Sequence, residues 1–319
     1  MSPQSKSAVL LLAHGSPDRV DEIPEFLRYV TGGRPLPEAV VKEVQHRYGL
    51  IGASPLKRIT LKQGELLARE LKLPVYVGMR NWRPLVGDVV AEMQRAGIAR
   101  AVAICLAPQN SRTSVGLYRE ALLGDSGTAP FEVDFVDNWH DHPLLIKAFA
   151  EKLAAGWKRA CDEAGSRVPI IFTAHSVPER TITEGDPYEA QAKETASLVA
   201  MEAPQLTLDD WQFAFQSQGM SGGAWLGPTV EDTIRGLKAK GHRAVFLQPI
   251  GFLCDHVEVL YDIDIAFREF AAKEGMRLWR AESLNESPTL IAALADVARS
   301  RLAPAGEKKQ QIVQIASRQ

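Results

Sequence analysis

The chain has little cysteine, and no pattern in the little it has. Cys105, Cys161 and Cys254 are odd in number and far apart, with no Cys-x-x-Cys pair. Neither a disulfide framework nor a cysteine-built zinc or iron–sulfur site is expected, and a reducing compartment fits. Charge of one sign is missing too. Lysine and arginine number 37 against 39 acids, a formal net charge of −2, which excludes the broad basic field that gathers nucleic acid or anionic lipid. No apolar run approaches the roughly 20 residues that span a bilayer. The opening stretch MSPQSKSAVLLLAHGS breaks its short apolar run at His14 and does not read as a signal peptide. The HExxH, GxxxxGK[ST] and GxGxxG patterns are absent, so neither a hydrolytic zinc helix nor a phosphate-cradling loop is signalled. A cytoplasmic protein acting on a small molecule is the expectation.

Short β-branched runs bounded by turn residues alternate with longer amphipathic stretches, the pattern of parallel sheets with crossover helices. Strands are expected at 8–13, 75–79, 101–107, 132–137, 169–174, 212–216, 244–249 and 277–280. Helices are expected at 61–71, 85–96, 144–164, 188–202, 230–240, 257–273 and 288–302. Four strands fall before about residue 160 and four after it, which reads as an α/β chain of two similar Rossmann-like units, each a four-stranded parallel sheet flanked by helices. The expected division is 1–160, 161–303 and a polar, fraying tail at 304–319.

Two stretches support the duplication. LLAHGSPDR and FTAHSVPER share Ala-His-x-x-Pro-acid-Arg, from Ala13 to Arg19 and from Ala174 to Arg180. GIARAVAICLAP is echoed by GHRAVFLQPIGF, each the third strand of its half. The first copy is longer, and its surplus falls in 23–54, a long connection at the carboxyl end of a strand. Open α/β sheets bind ligands at such ends.

His14 and His175 therefore end equivalent strands, and their imidazoles are expected to face each other across a cleft between the halves. The stretch GFLCDHVEVLYDIDIAF brings a third element: Glu258 and Asp262 are four apart on one expected helix face, with Asp255 and His256 at its start. Alone, that face reads as a solvated acidic surface. Two imidazoles beside carboxylates, however, suit Fe²⁺, Co²⁺ or Zn²⁺.

Taken in order, AHGSP, IGASPL, GMRNWRPL, LAPQNSRTSVGLY, TAHSVPE, GDPY, FQSQG, WLGP and DHVEVLYDIDI resemble the ferrochelatases, and within them the bacterial coproporphyrin ferrochelatases. The resemblance covers nearly the whole chain. It implies a two-domain, chelatase-type fold with a porphyrin cleft, the last helix packing back on the first domain. It also implies insertion of Fe²⁺ into coproporphyrin III with loss of two protons, giving coprohaem. Fe²⁺ is then a substrate, no prosthetic group or iron–sulfur cluster is required, and later enzymes of haem synthesis are partners of a monomeric protein without membrane insertion. By the same resemblance His175 and Glu258 are the catalytic pair. The metal-holding set is His175, Glu258, His14 and Asp262. Arg47, Ser54 and Tyr118 match positions that hold propionates in the family, Ser111 and Trp225 are further expected porphyrin contacts, and Arg112 is expected to compensate for the family arginine replaced here by Thr31. A base of near-neutral pKa beside the ring would take the pyrrole protons. The row's usual third acid is Ala266, and His14 stands where many relatives have tyrosine, which points to an axial ligand on the face opposite His175. The alternatives are a protoporphyrin IX ferrochelatase, a cobalt chelatase, or a non-catalytic haem or porphyrin carrier.

Overall fold

A computed structural model describes residues 6–203, 205–218 and 223–303. It contains eight strands: β1 (Ser7–Ala13), β2 (Val75–Met79), β3 (Arg100–Cys105), β4 (Glu132–Val136), β5 (Ile170–His175), β6 (Trp211–Gln216), β7 (Ala244–Pro249) and β8 (Arg277–Arg280). They form two four-stranded sheets ordered β2-β1-β3-β4 and β6-β5-β7-β8. Every pairing is parallel. The two halves thus share one strand order, as the repeated motifs require. β1, β3, β5 and β7 are central and almost wholly buried, which explains their continuous apolar runs: helices cover both faces of a parallel sheet.

Helices Pro143–Ala164, Tyr188–Glu202 and Pro288–Leu302 fill the space between the sheets. Their apolar sides join Val9, Leu11 and Val102 of the first sheet to Ile170, Phe172 and Phe246 of the second in one core. Helix Pro288–Leu302 also packs on helix Leu56–Leu71 of the first half, where Arg299 pairs with Glu70 at 2.8 Å. The tail from residue 304 lies outside the described residues.

Two expectations differ from the structure. The surplus in 23–54 is mostly helical, forming Ile23–Val30 and Glu38–Ile51. Its prolines read as breakers, yet Pro24 occupies the first turn, where no helical N–H is lost. Gly52, at φ 71°, closes the second helix in the left-handed region. The expected continuous helix 257–273 is instead an α-turn Val257–Leu260, a π-segment Asp262–Phe267 and a helix Arg268–Lys273. The wider π-turns alter which residues share a face.

In each sheet the strand order reverses between the first and third strands of its half, and the crevice at the carboxyl ends there is the preferred ligand position. Gly15 shapes the turn leaving β1. Its φ is +84°, and a Cβ on it would meet the Trp82 backbone nitrogen at 2.9 Å. Gly15→Ala is therefore expected to cost at least about 1–2 kcal/mol. Urea unfolding should show a lower midpoint at unchanged slope; an unchanged midpoint would mean that the turn is not strained by a side chain.

Candidate active site between the halves

The carboxyl ends of β1, β2 and β3 meet those of β5 and β7 around a cavity of about 610 Å³, within the usual size range of small-molecule sites. Phe26, Leu27, Val30 and Val44 from the two surplus helices wall one side. Val177, Trp225, Phe252 and Val257 wall the other. Of the residues singled out from sequence, His14, Ser54, Ser111, Tyr118, His175, Trp225 and Glu258 line this space.

Both histidine turns are built alike. His14 Nδ1 lies 2.9 Å from the carbonyl of Gly15, the next residue, and His175 Nδ1 makes the same contact with the carbonyl of Ser176. A ring nitrogen facing a carbonyl must donate, so each Nδ1 carries hydrogen and each Nε2 is directed elsewhere. The partners of Nε2 then differ. His14 Nε2 is 2.9 Å from Asn81 Nδ2 and accepts from it, while Phe26 meets the ring edge-on at 5.9 Å. His175 Nε2 faces Glu258 Oε1 at 3.4 Å.

These partners drive the two imidazoles apart. Burial and then the Arg80 cation lower His14 to about 4, leaving it neutral. Burial would also lower His175, but the Glu258 carboxylate and a backbone hydrogen bond outweigh it and raise the pKa to about 9. Glu258 moves the opposite way: burial pushes it up, but His175 and His256 hold it well below 4.5. The expected near-neutral imidazole at 175 is thus an imidazolium paired with its carboxylate.

The acid is held on both sides, since His256 Nε2 lies 3.5 Å from Glu258 Oε2. Its backbone is pinned as well. Gln216 donates through Nε2 to the Glu258 carbonyl at 3.0 Å and accepts at Oε1 from Thr173 at 2.6 Å. Tyr188 OH donates to the His175 carbonyl at 2.9 Å, so Thr173 of β5, Gln216 of β6 and Tyr188 of the helix Tyr188–Glu202 hold the backbone of the pair.

Three expected site residues lie outside the cavity wall. Asp262 opens the π-segment and bonds Ser217 instead; burial raises its pKa. Arg47 pairs with Glu43 at 2.8 Å, approaches Asp262 at 4.0 Å and stacks over Tyr261 at 5.0 Å. Arg112 is paired with Glu184 and lines a separate polar cavity of about 310 Å³. Each arginine is drawn to a carboxylate of its own surface, which the one-dimensional pattern does not reveal. Conversely, sequence reasoning missed Arg80 and Asn81, although both sit in GMRNWRPL directly after β2. Among the described residues no group of three or more His, Cys, Asp or Glu side chains is arranged to hold a metal ion. No helix among them is long and apolar enough to cross a membrane.

The fold has known counterparts. SirB from Bacillus subtilis with Fe³⁺ superimposes at TM-score 0.56 with 11% identity over 96% of this chain and 98% of that one. CbiX, the terminal enzyme for biosynthesis of siroheme in denitrifying bacteria, does so at 0.55 with 14% identity over 93% and 100%. These likenesses establish the fold. In sequence, the chain is 55% identical to a ferrochelatase of Acidobacterium capsulatum over 94% of this chain and 95% of the relative. It is 33% identical to a coproporphyrin III ferrochelatase of Geobacillus kaustophilus over 95% and 98%. The family model described as ferrochelatase matches residues 6–302, and the chain belongs to the ferrochelatase family.

Proposed function

We propose that this protein inserts Fe²⁺ into coproporphyrin III, releasing two pyrrole protons and giving coprohaem. The observation that carries this reading is the His175–Glu258 pair, ion-paired at 3.4 Å in the wall of a largely apolar cavity with the neutral His14 ring also lining it. A flat macrocycle between the two imidazoles presents its nitrogens to the pair on one face and to His14 on the other. The first half, 1–160, contributes the walls of one side, and the second, 161–303, contributes the reactive pair.

The chemistry follows from the charges. With His175 raised to about 9 by its carboxylate, the pair holds one proton at neutral pH. An approaching Fe²⁺ opposes the imidazolium and favours its deprotonation. The freed Nε2 is then a base for a pyrrole N–H, with Glu258 stabilising the imidazolium that re-forms. Asp262, beyond Glu258 and bonded to Ser217, supports a path by which protons leave the cavity. Coproporphyrin is favoured as substrate by the walls of the mouth, where the surplus helices carry charge and proline among their apolar residues.

Anaerobic incubation with Fe²⁺ or Co²⁺ and either coproporphyrin III or protoporphyrin IX, followed by absorbance, tests the reading. Turnover should be fastest with Fe²⁺ and coproporphyrin III. Preference for protoporphyrin or for cobalt would replace the substrate or metal assignment, and stoichiometric haem binding without turnover would indicate a carrier. His175→Ala should lower turnover about 10²- to 10⁴-fold, whereas His14→Ala should act mainly on product-haem binding. Full activity in the His175 variant would refute the assignment.

The pair also predicts a pH signature. His175 is raised above its ordinary 6.5, so the stabilisation it gives the fold is complete below pH 6.5 and is lost as pH rises through 9. Glu258 is depressed, so its contribution is present above pH 4.5 and disappears only in more acid solution. Proton NMR should therefore show His175 titrating near 9 in the parent. In Glu258→Gln it should titrate below 6.5, because burial then acts without the carboxylate. A His175 that titrates near 6.5 in the parent would show the pairing to be too weak to matter.

A further inference from the structure

Among the described residues, Arg80 is the one arginine or lysine lining the large cavity. It follows β2, and its backbone nitrogen donates to the Ala13 carbonyl at 2.9 Å, which sets it beside the His14 turn. Its guanidinium lies over the Tyr118 ring at 5.7 Å. Its Nε is hidden from solvent without an acceptor, and no carboxylate among the described residues pairs with it. Neighbouring arginines are all engaged: Arg47 by Glu43, Arg83 by Glu25 and Arg112 by Glu184. The one acid among the described residues of the cavity wall, Glu258, is taken by His175 and His256.

A guanidinium stays charged at any working pH, and a half-buried cation without a counter-charge is costly. Its planar fork matches a carboxylate, with two parallel hydrogen bonds. Tyr118, Thr113 and Ser114 line the same cavity, so hydroxyl donors are available in the wall that carries the guanidinium.

We propose that Arg80 anchors a carboxylate arm of the substrate inside the cavity and thereby selects a porphyrin with acidic arms on more than one edge. The inference rests on the reading that the cavity takes a porphyrin. A macrocycle with its acids on one edge can leave them hydrated at the mouth. One with acids around the ring must bury at least one, and burial of a carboxylate demands a cation within. Coproporphyrin III, with propionates on all four pyrroles, is of the second kind, and protoporphyrin IX is of the first.

Fluorescence titration of the full chain without metal separates binding from turnover. Arg80→Leu should weaken coproporphyrin III about 10- to 100-fold, the range of a charge-assisted pair, and protoporphyrin IX less than about 3-fold on the same grounds. Arg80→Lys, which keeps the charge but loses the fork, should recover part of the affinity. Unchanged coproporphyrin binding in Arg80→Leu, equal weakening of both porphyrins, or a lysine variant no better than leucine would each overturn the proposal. Should the leucine variant not fold, Arg80→Gln with the same titrations decides by the same criteria. Metal insertion by the parent is scored separately: carboxylate-dependent binding without insertion removes the proposed activity and leaves the anchor. Insertion with binding indifferent to Arg80 does the reverse.

Discussion

In both halves an imidazole gives its Nδ1 hydrogen to the carbonyl of the following residue, and the site depends on that bond. It fixes the tautomer and turns Nε2 away from the chain that carries it. The bond is local, joining adjacent residues, so it comes with the turn. Where the strands end at the switch points of two sheets with the same order, two such turns place two rings on one cavity. Duplication therefore supplies a symmetric frame for a flat ligand.

The symmetry of this frame is broken, and the breaking is electrostatic. His14 has an amide on Nε2 and a cation nearby, so burial and Arg80 act in the same direction. His175 has a carboxylate, whose attraction exceeds the cost of burial. One turn is therefore neutral and the other charged at the same pH. Titratable groups driven apart by their surroundings are the usual basis for dividing acid, base and ligand roles. On the proposed function, the neutral ring would meet a metal or a macrocycle face, and the charged ring would exchange protons.

Much of the frame was legible in one dimension because parallel strands bury both faces and so appear as unbroken apolar runs. All eight expected strands overlap observed ones, and helices Tyr188–Glu202 and Pro288–Leu302 coincide with their expected bounds. The two helices of the surplus segment were not legible: Pro24 and Pro37 stand at helix starts, where proline is compatible with the fold but resembles a breaker. The π-segment was hidden for another reason, since its hydrogen-bond register depends on packing rather than on residue type. Asp262 opens that segment and lies outside the cavity wall that Glu258 keeps. His175 and Glu258 could be found because each stands in a motif at a strand end. The partner of an exposed arginine could not, because Glu184 is 72 positions from Arg112 and only the fold joins them.

The same long-range stitching makes the cavity a fixed gap. Asn110 N donates to Gln191 at 2.6 Å, Gln109 Nε2 reaches Thr195 at 3.1 Å and the Ile250 carbonyl at 3.2 Å, and Asp186 accepts from Ser111 and from the Arg112 backbone. These bonds tie the turn after β3 to the second half at its helices and at the end of β7. All but the exposed Arg112–Asp186 bond are buried or half-buried, so losing one of those leaves a polar group unpaired at a cost of about 1–3 kcal/mol. A wedge-like opening of the halves would break several of them together. Adjustment to a ligand is therefore expected in the surplus helices of the mouth, which meet the second half through the turn Val257–Leu260 and have exposed Tyr29, Val30 and Leu50 at their edges. The asymmetry of the two copies fits this division: the second half carries the His175–Glu258 pair beside those bonds, and the extra length of the first supplies a wall outside them.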